Sequence, residues 1–279
     1  MNTKLFKSKK GVLFTVITIL LISTLILFIL GFKNRVEFRN EMVLNLLEPT
    51  KIKNAQKFIA NDFLQIMDLK DLNIKFNQTN QIVKFNLNLT NEKLDYKNLL
   101  DNYSNFLNNQ FSQISNTNLS VNLNPSFLIN PYNTTVSINK TKTKITINQI
   151  NQINLNITLD TLNNHSTIKN FNLNPGENLL KLTILDKNKE IITKDEYFIN
   201  FSKSNNFYFE FNNTLPNPKF NINFESSNLI INTTNNLNAK INQKLIYNLD
   251  RKIYITTNTD SLFRSEKIKK EGFILLLKG

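Results

Sequence analysis

The sequence predicts a mainly β protein carried behind one N-terminal transmembrane helix. Three observations carry that expectation: an uncharged apolar run over residues 12–32, a succession of short stretches after residue 70 in which apolar and polar residues alternate, and asparagine wherever the alternation breaks.

The apolar run comes first in the chain and carries the strongest signal. Sixteen of its 21 residues are Leu, Ile, Val or Phe, and a helix of that length spans about 30 Å, the thickness of a bilayer core. At about −0.3 to −0.6 kcal/mol for each such residue, insertion is favoured by roughly 5 to 10 kcal/mol, which three Thr, one Ser and one Gly do not reverse. A cleaved secretory signal would have a shorter apolar region ending in a small-x-small site. Here Phe32 runs straight into Lys33-Asn34-Arg35, so a retained signal anchor is expected. Lys4, Lys7, Lys9 and Lys10 precede the run and Lys33, Arg35 and Arg39 follow it. The charge bias is small, and it favours a short tail inside and the large domain outside the cytoplasm.

The stretch Lys9-Lys10-Gly11-Val12-Leu13-Phe14-Thr15 resembles the class III signal of type IV pilin-like proteins, in which a basic stretch ends in Gly just before the hydrophobic helix. The resemblance covers the first 30 or so residues and implies processing by a prepilin peptidase between Gly11 and Val12. That family usually carries glutamate at the fifth mature position, where this chain has Val16.

After the membrane, Val36 to Leu47 continues a helical pattern, and Pro49 predicts a break, because proline cannot donate a backbone hydrogen bond and disfavours helix at Glu48. A second helix is expected from Thr50, with Ile52, Ala55, Ile59, Phe63 and Ile66 on one face. Leu72, Ile74 and Phe76, then Val83, Phe85, Leu87 and Leu89, alternate around Gln78-Thr79-Asn80-Gln81 and predict a hairpin. From Leu94 to Ile114 the period changes to that of an amphipathic helix, capped by Asn91, with its Tyr and Phe stripe read as core.

From residue 117 strands are expected near 119–123, 134–139, 143–148, 153–159, 166–173, 178–185 and 190–201, the spacing of an all-β sandwich. In Asn178 to Leu185 the alternation sets Leu180, Leu182 and Ile184 inward. The stretch Asn174-Pro175-Gly176-Glu177-Asn178, followed by Leu179 to Asp186, resembles the penultimate strand and turn of immunoglobulin-like modules on prokaryotic surface proteins. The resemblance covers residues 117–201 and implies an immunoglobulin-like β-sandwich with residues 189–201 as closing strand. Further strands near 206–212, 218–224, 227–233, 241–248, 252–257 and 273–278 suggest a second β unit. Its last run, Phe273 to Leu277, is continuously apolar and suits a buried strand. The expected division is therefore a tail and transmembrane helix over 1–33, a helical stalk with a small α+β region over 34–116, the sandwich over 117–202 and the second β unit over 203–279.

Composition agrees with a folded chain. Apolar residues make up 41% and aromatics 10%, enough apolar surface to build cores. The 51 asparagines alternate with Ile, Leu and Phe, as in Ile153-Asn154-Leu155-Asn156-Ile157, which places them on the solvent face of strands. With only 5 Gly and 6 Pro, Asn also supplies turns, expected at Asn163-Asn164, Asn205-Asn206 and Asn235-Asn236.

The chemistry is sparse. Zero cysteines exclude disulfides and thiolate metal sites, and the single histidine, His165, sits in a turn composition. No zinc-ligand cluster, Gly-rich phosphate loop or nucleophile elbow is present, so no catalytic, cofactor-binding or metal residue is assigned; a structural or adhesive surface protein is expected rather than an enzyme, with a pilin-like subunit as the alternative and an unrecognised cell-surface hydrolase as the remote one. Asp160, Asp186, Asp195 and Glu196 are carboxylates that could meet and bind calcium, and they read first as turn and solvated charges. The net charge of +13 is spread over scattered lysines and forms no basic stripe interleaved with aromatics, which argues against nucleic acid. The expected partners are membrane lipid through residues 12–32, and outside the membrane other envelope proteins, glycans or further copies of the chain. Asn-x-Ser/Thr acceptors recur from Asn77 to Asn232 and permit glycosylation of an outside domain.

Overall fold

In the computed structural model the N-terminal apolar run lies within one helix, α1 (Lys4–Ile66). The structure describes residues 4–279 apart from 70, 91–94, 116, 140, 163–165, 213–216, 235–236, 249–250 and 266–267; for 4–19, 36–47 and 166 it describes the backbone alone. Helix α1 carries Pro49 in its interior, so the break expected there does not occur. A proline removes one hydrogen bond from the ladder, and the flanking turns on both sides keep theirs. The chain divides into two compact units, residues 1–51 and 52–279.

In the first unit, large apolar side chains from Leu20 to Phe32 stand exposed, Leu27 at 68% and Phe28 at 75%. Among the described residues no helix is long and apolar enough to cross a membrane. Of the expected span 12–32, the side chains of 12–19 lie outside the described residues.

The second unit begins with the end of α1, whose Ile52, Ile59 and Phe63 are buried at helical spacing as the sequence predicts. The strands β1 (Asn73–Phe76) and β2 (Asn80–Leu89) form the expected antiparallel hairpin. Helix α2 (Tyr96–Phe106) follows, widens into a π-helix over Leu107–Phe111 and ends in α3 (Ser112–Ser115). Its cap is Asp95, whose carboxylate accepts from the backbone N–H of Lys97 at 3.0 Å and Asn98 at 3.3 Å; the expected cap, Asn91, lies outside the described residues.

The remaining strands follow the alternation closely: β3 (Asn118–Val121), β4 (Ser126–Asn130), β5 (Thr134–Ile138), β6 (Lys142–Thr146), β7 (Gln152–Leu159), β8 (Ser166–Asn172), β9 (Pro175–Leu185), β10 (Ile191–Ile199), β11 (Asn205–Asn212), β12 (Lys219–Glu225), β13 (Asn228–Thr233), β14 (Ala239–Asn248), β15 (Tyr254–Arg264) and β16 (Lys269–Lys278). Strand β4 was not expected. Its residues are buried on both faces except Leu128, so it shows no alternation to read.

Two sheets form. One has six strands in the order β1-β2-β14-β7-β9-β10; the other runs β16-β15-β4-β5-β6-β13-β12-β11-β8, with β3 paired to β15. Their inner faces share a core in which Phe85 of β2 meets Phe127 of β4 edge to face, 5.4 Å between centroids, and Tyr132 stacks on Tyr247 of β14 at 4.6 Å. Leu180, Leu182 and Ile184 point inward, at 0%, 1% and 0% exposure, as their alternation predicts.

The boundaries expected at 116/117 and 202/203 do not separate these strands. β14 lies between β2 and β7, β13 pairs with β6, and β11 pairs with β8, so residues 117–202 share both of their sheets with strands from outside that range. Strands β7 and β9 run parallel, because β8 crosses to the other sheet between them. Pro175 and Gly176 open β9 itself instead of forming the expected turn, and the glycine has a packing cause: a Cβ on Gly176 would stand 2.4 Å from the backbone nitrogen of Asn200. The C-terminal strand β16 is an edge strand, not a buried one, and exposes Phe273 at 46% and Leu275 at 49% while burying Ile274.

Candidate functional site

The six-stranded sheet buries its apolar face and presents a polar one. Because side chains alternate, the residues between the buried positions align across strands into rows. One row runs Asn86, Asn242, Asn156, Thr183 and Lys194 across β2, β14, β7, β9 and β10. The row beside it runs Asn73, Lys84, Lys244, Asn154, Lys181 and Glu196. On the other side of the asparagine row stand Asn88, Lys240 and Thr158. Neighbouring strands lie about 4.8 Å apart, so each row is a ladder of polar groups at nearly that repeat.

The turn after α1 closes one end of this face. Asp68, held at a positive φ of 53°, accepts from Asn88 Nδ2 at 2.6 Å, and Asp71 accepts from Asn86 Nδ2. Lys240 pairs with Asp160 at 2.9 Å. Asp68, Asp71, Asn86, Asn88 and Lys240, together with Asn156 and Asn242, line a cavity of about 550 Å³. A neighbouring cavity of about 420 Å³ shares Asp68, Asn88 and Lys240 and adds Tyr96. Burial, reinforced by the negative charge of Asp68, raises the Tyr96 phenol above its ordinary range, so it stays a hydrogen-bond donor. The set consists of amides, hydroxyls, the Lys240–Asp160 pair and two carboxylates held by asparagine amides, all of which exchange hydrogen bonds with neutral hydroxyl groups.

The residues singled out from sequence are scattered relative to this face. Gly11 and Val12 lie in α1, with their side chains outside the described residues, and His165 lies outside them altogether. Asp186 turns back to accept from the backbone N–H of Glu190 at 2.8 Å, Asp195 accepts from the Tyr197 hydroxyl at 3.2 Å, and Glu196 pairs with Lys181 at 2.6 Å. Of the four carboxylates weighed for calcium, Asp160 alone lines one of these two cavities, and among the described residues no group of three potential metal ligands converges. Sequence reading placed the asparagines on solvent faces and missed that Asn86, Asn156 and Asn242 fall in one row. No signal within any one strand specifies that, since three distant segments build it. No protein-family model, no curated protein and no solved structure matches this chain.

Proposed function

We propose that this chain is a membrane-anchored surface protein, held by residues 12–32 and facing outside the cytoplasm, that works by binding through the polar face of its six-stranded sheet. The observation that carries the reading is the row Asn86, Asn242 and Asn156 beside the cavity of about 550 Å³. Amides oriented by Asp68 and Asp71 suit hydroxyl-rich partners in both donor and acceptor roles, and an amide carries no proton at neutral pH, which favours adhesion or scaffolding over catalysis. The uncharged run 12–32 and the exposed apolar residues from Leu20 to Phe32 support the anchor. The resemblance of residues 174–188 to immunoglobulin-like surface modules supports the location.

A second reading, a pilin-like subunit processed after Gly11, is favoured by the unbroken course of α1 from Lys4 to Ile66, because cleavage there would leave a mature chain that begins in helix.

Protease added to intact cells tests the location. Residues 33–279 should be degraded without lysis, and digestion only after lysis would reverse the orientation and remove the surface reading. Binding of the full-length, detergent-solubilised chain to isolated envelopes tests the face: Asn86→Ala with Asn242→Ala should weaken it, and unchanged binding would move the function elsewhere.

A further inference from the structure

We propose that the lysine row of this face binds an acidic polysaccharide, with a carboxylate or sulfate of the polymer seated between Lys84 and Lys244. The inference rests on the reading of the six-stranded sheet as the binding face and names the chemistry of its partner.

Lys84 of β2 and Lys244 of β14 are direct cross-strand partners, which places their Cβ atoms about 5 Å apart. Like charges directly opposite each other destabilise a sheet. Elsewhere on this face Lys181 pairs with Glu196 at 2.6 Å and Lys240 with Asp160 at 2.9 Å, while Lys194, on the edge strand β10, forms no ion pair among the described residues and has no lysine opposite it. Among the described residues Lys84 and Lys244 form no ion pair. The next residue in the row adds a third donor. Asn154 lies opposite Lys244, and its Oδ1 accepts from Gln152 Nε2 at 2.7 Å. Its Nδ2 makes no hydrogen bond among the described residues. Two lysines and an amide N–H therefore occupy adjacent positions of one row with no acceptor of their own among the described residues, which is the complement of an oxyanion.

The asparagine row identifies the rest of the partner. It lies two residues further along each strand, and its amides match hydroxyl groups in both donor and acceptor roles. A polymer that alternates anionic groups with hydroxyls satisfies both rows at once, and the ladder repeat of about 4.8 Å is close to the length of one sugar ring. Nucleic acid fits less well, because single strands are held by stacking on aromatic rings, and these two rows contain none. Asp71 stands at the β1 end of the asparagine row, where it accepts from Asn86, and Asp68 lies beyond that row, where it accepts from Asn88, so neither carboxylate belongs to the lysine row.

The test uses the full-length chain in detergent and four probes: sodium polygalacturonate, neutral dextran, single-stranded DNA and anionic lipid vesicles. Polygalacturonate should bind and DNA and vesicles should not compete. Lys84→Gln with Lys244→Gln should weaken binding roughly tenfold, the product of two exposed charge contacts. Lys142→Gln with Lys144→Gln removes equal charge from β6 of the other sheet and should change binding less than about twofold. The first double variant should also melt no lower than the parent, because it relieves a like-charge contact. If both double variants weaken binding equally, or DNA or vesicles compete equally, the chain attracts polyanions through net charge and the proposal is overturned. If dextran binds as well as polygalacturonate and the Lys84/Lys244 variant changes nothing, the face binds glycans without charge selection; that overturns this inference and leaves the binding-face reading intact. If neither polysaccharide binds, this inference is overturned, and the envelope-binding test with Asn86→Ala and Asn242→Ala decides the face separately.

Discussion

Asn205, expected in a turn but found as the first residue of β11, accepts the backbone N–H of Asn174 at 2.6 Å and ties that strand to the segment before β9. Its Nδ2 donates to the carbonyls of Asn200 at 2.8 Å and Lys203 at 3.0 Å, and the residue is 1% exposed. One buried amide thus satisfies the Asn174 N–H and the Lys203 carbonyl, and adds a second donor to the Asn200 carbonyl, which also accepts the backbone N–H of Lys203 at 3.1 Å. Asn205→Ala would strand the first two, at a cost of about 1 to 3 kcal/mol. Asn206→Ala, one residue on and exposed, should cost less than about 0.5 kcal/mol. Urea denaturation of the two variants measures the difference, and equal midpoints would remove Asn205 as a structural tie.

Leu182 and Thr183 test the strand register in the same way. Leu182 is 1% exposed and faces the core from the middle of β9, while Thr183 faces outward in the asparagine row. Leu182→Ala should cost about 2 to 5 kcal/mol, by loss of transfer energy and the cavity it leaves. Thr183→Ala should stay within about 0.5 kcal/mol. A reversed order in thermal melts would mean every side chain of the strand had been given to the wrong face.

That register was legible because alternation is local. Ile153, Leu155 and Ile157 announce the buried face of β7 without any knowledge of its neighbours. Partner choice is not local. Nothing in Ile241 to Tyr247 indicates that β14 inserts between β2 and β7, so reading the chain in order divided one unit into three. The candidate site inherits the same limit: Asn86, Asn242 and Asn156 become a row through pairings between distant segments, and Asp68 and Asp71 reach it from a turn. Pro49 failed as a signal for the opposite reason, a strong local rule overridden by a helix long enough to lose one bond.

Tyrosines set the alkaline limit of stability. Burial raises the phenols of Tyr103, Tyr197 and Tyr247 above 10, with the charge and hydrogen bond of Asp62 adding at Tyr103, Asp195 adding at Tyr197 and Tyr132 adding at Tyr247; Tyr197 is pushed up to about 12. In the unfolded chain each ionises near 10. Between that value and its folded pKa the native state holds more protons than the unfolded one, so stability falls as pH rises. It should be level below about pH 10 and decline from there through about pH 12. Tyr247→Phe removes one titrating phenol from the unfolded chain and should flatten the decline in urea midpoints; a midpoint independent of pH across that window would contradict the burial of these hydroxyls.

The N-terminus decides between the two readings of the anchor, because residues 1–33 fit both and imply different work. In pilin-like assembly the hydrophobic helix leaves lipid and packs against copies of itself, and the family's glutamate at the fifth mature position offers a partner to a neighbour's freed amine. A carboxylate at that depth in lipid is costly unless it is paired. Val16 stands at that position here and carries neither the cost nor the partner, so the uniformly apolar helix gains nothing electrostatic by leaving the bilayer. The expected outcome is a chain that stays in the membrane as an anchored monomer or small assembly. Mass spectrometry of the native protein's N-terminus checks it: chains that retain residues 1–11 establish a plain signal anchor, and chains that begin at Val12 establish class III processing and make the filament subunit the leading reading.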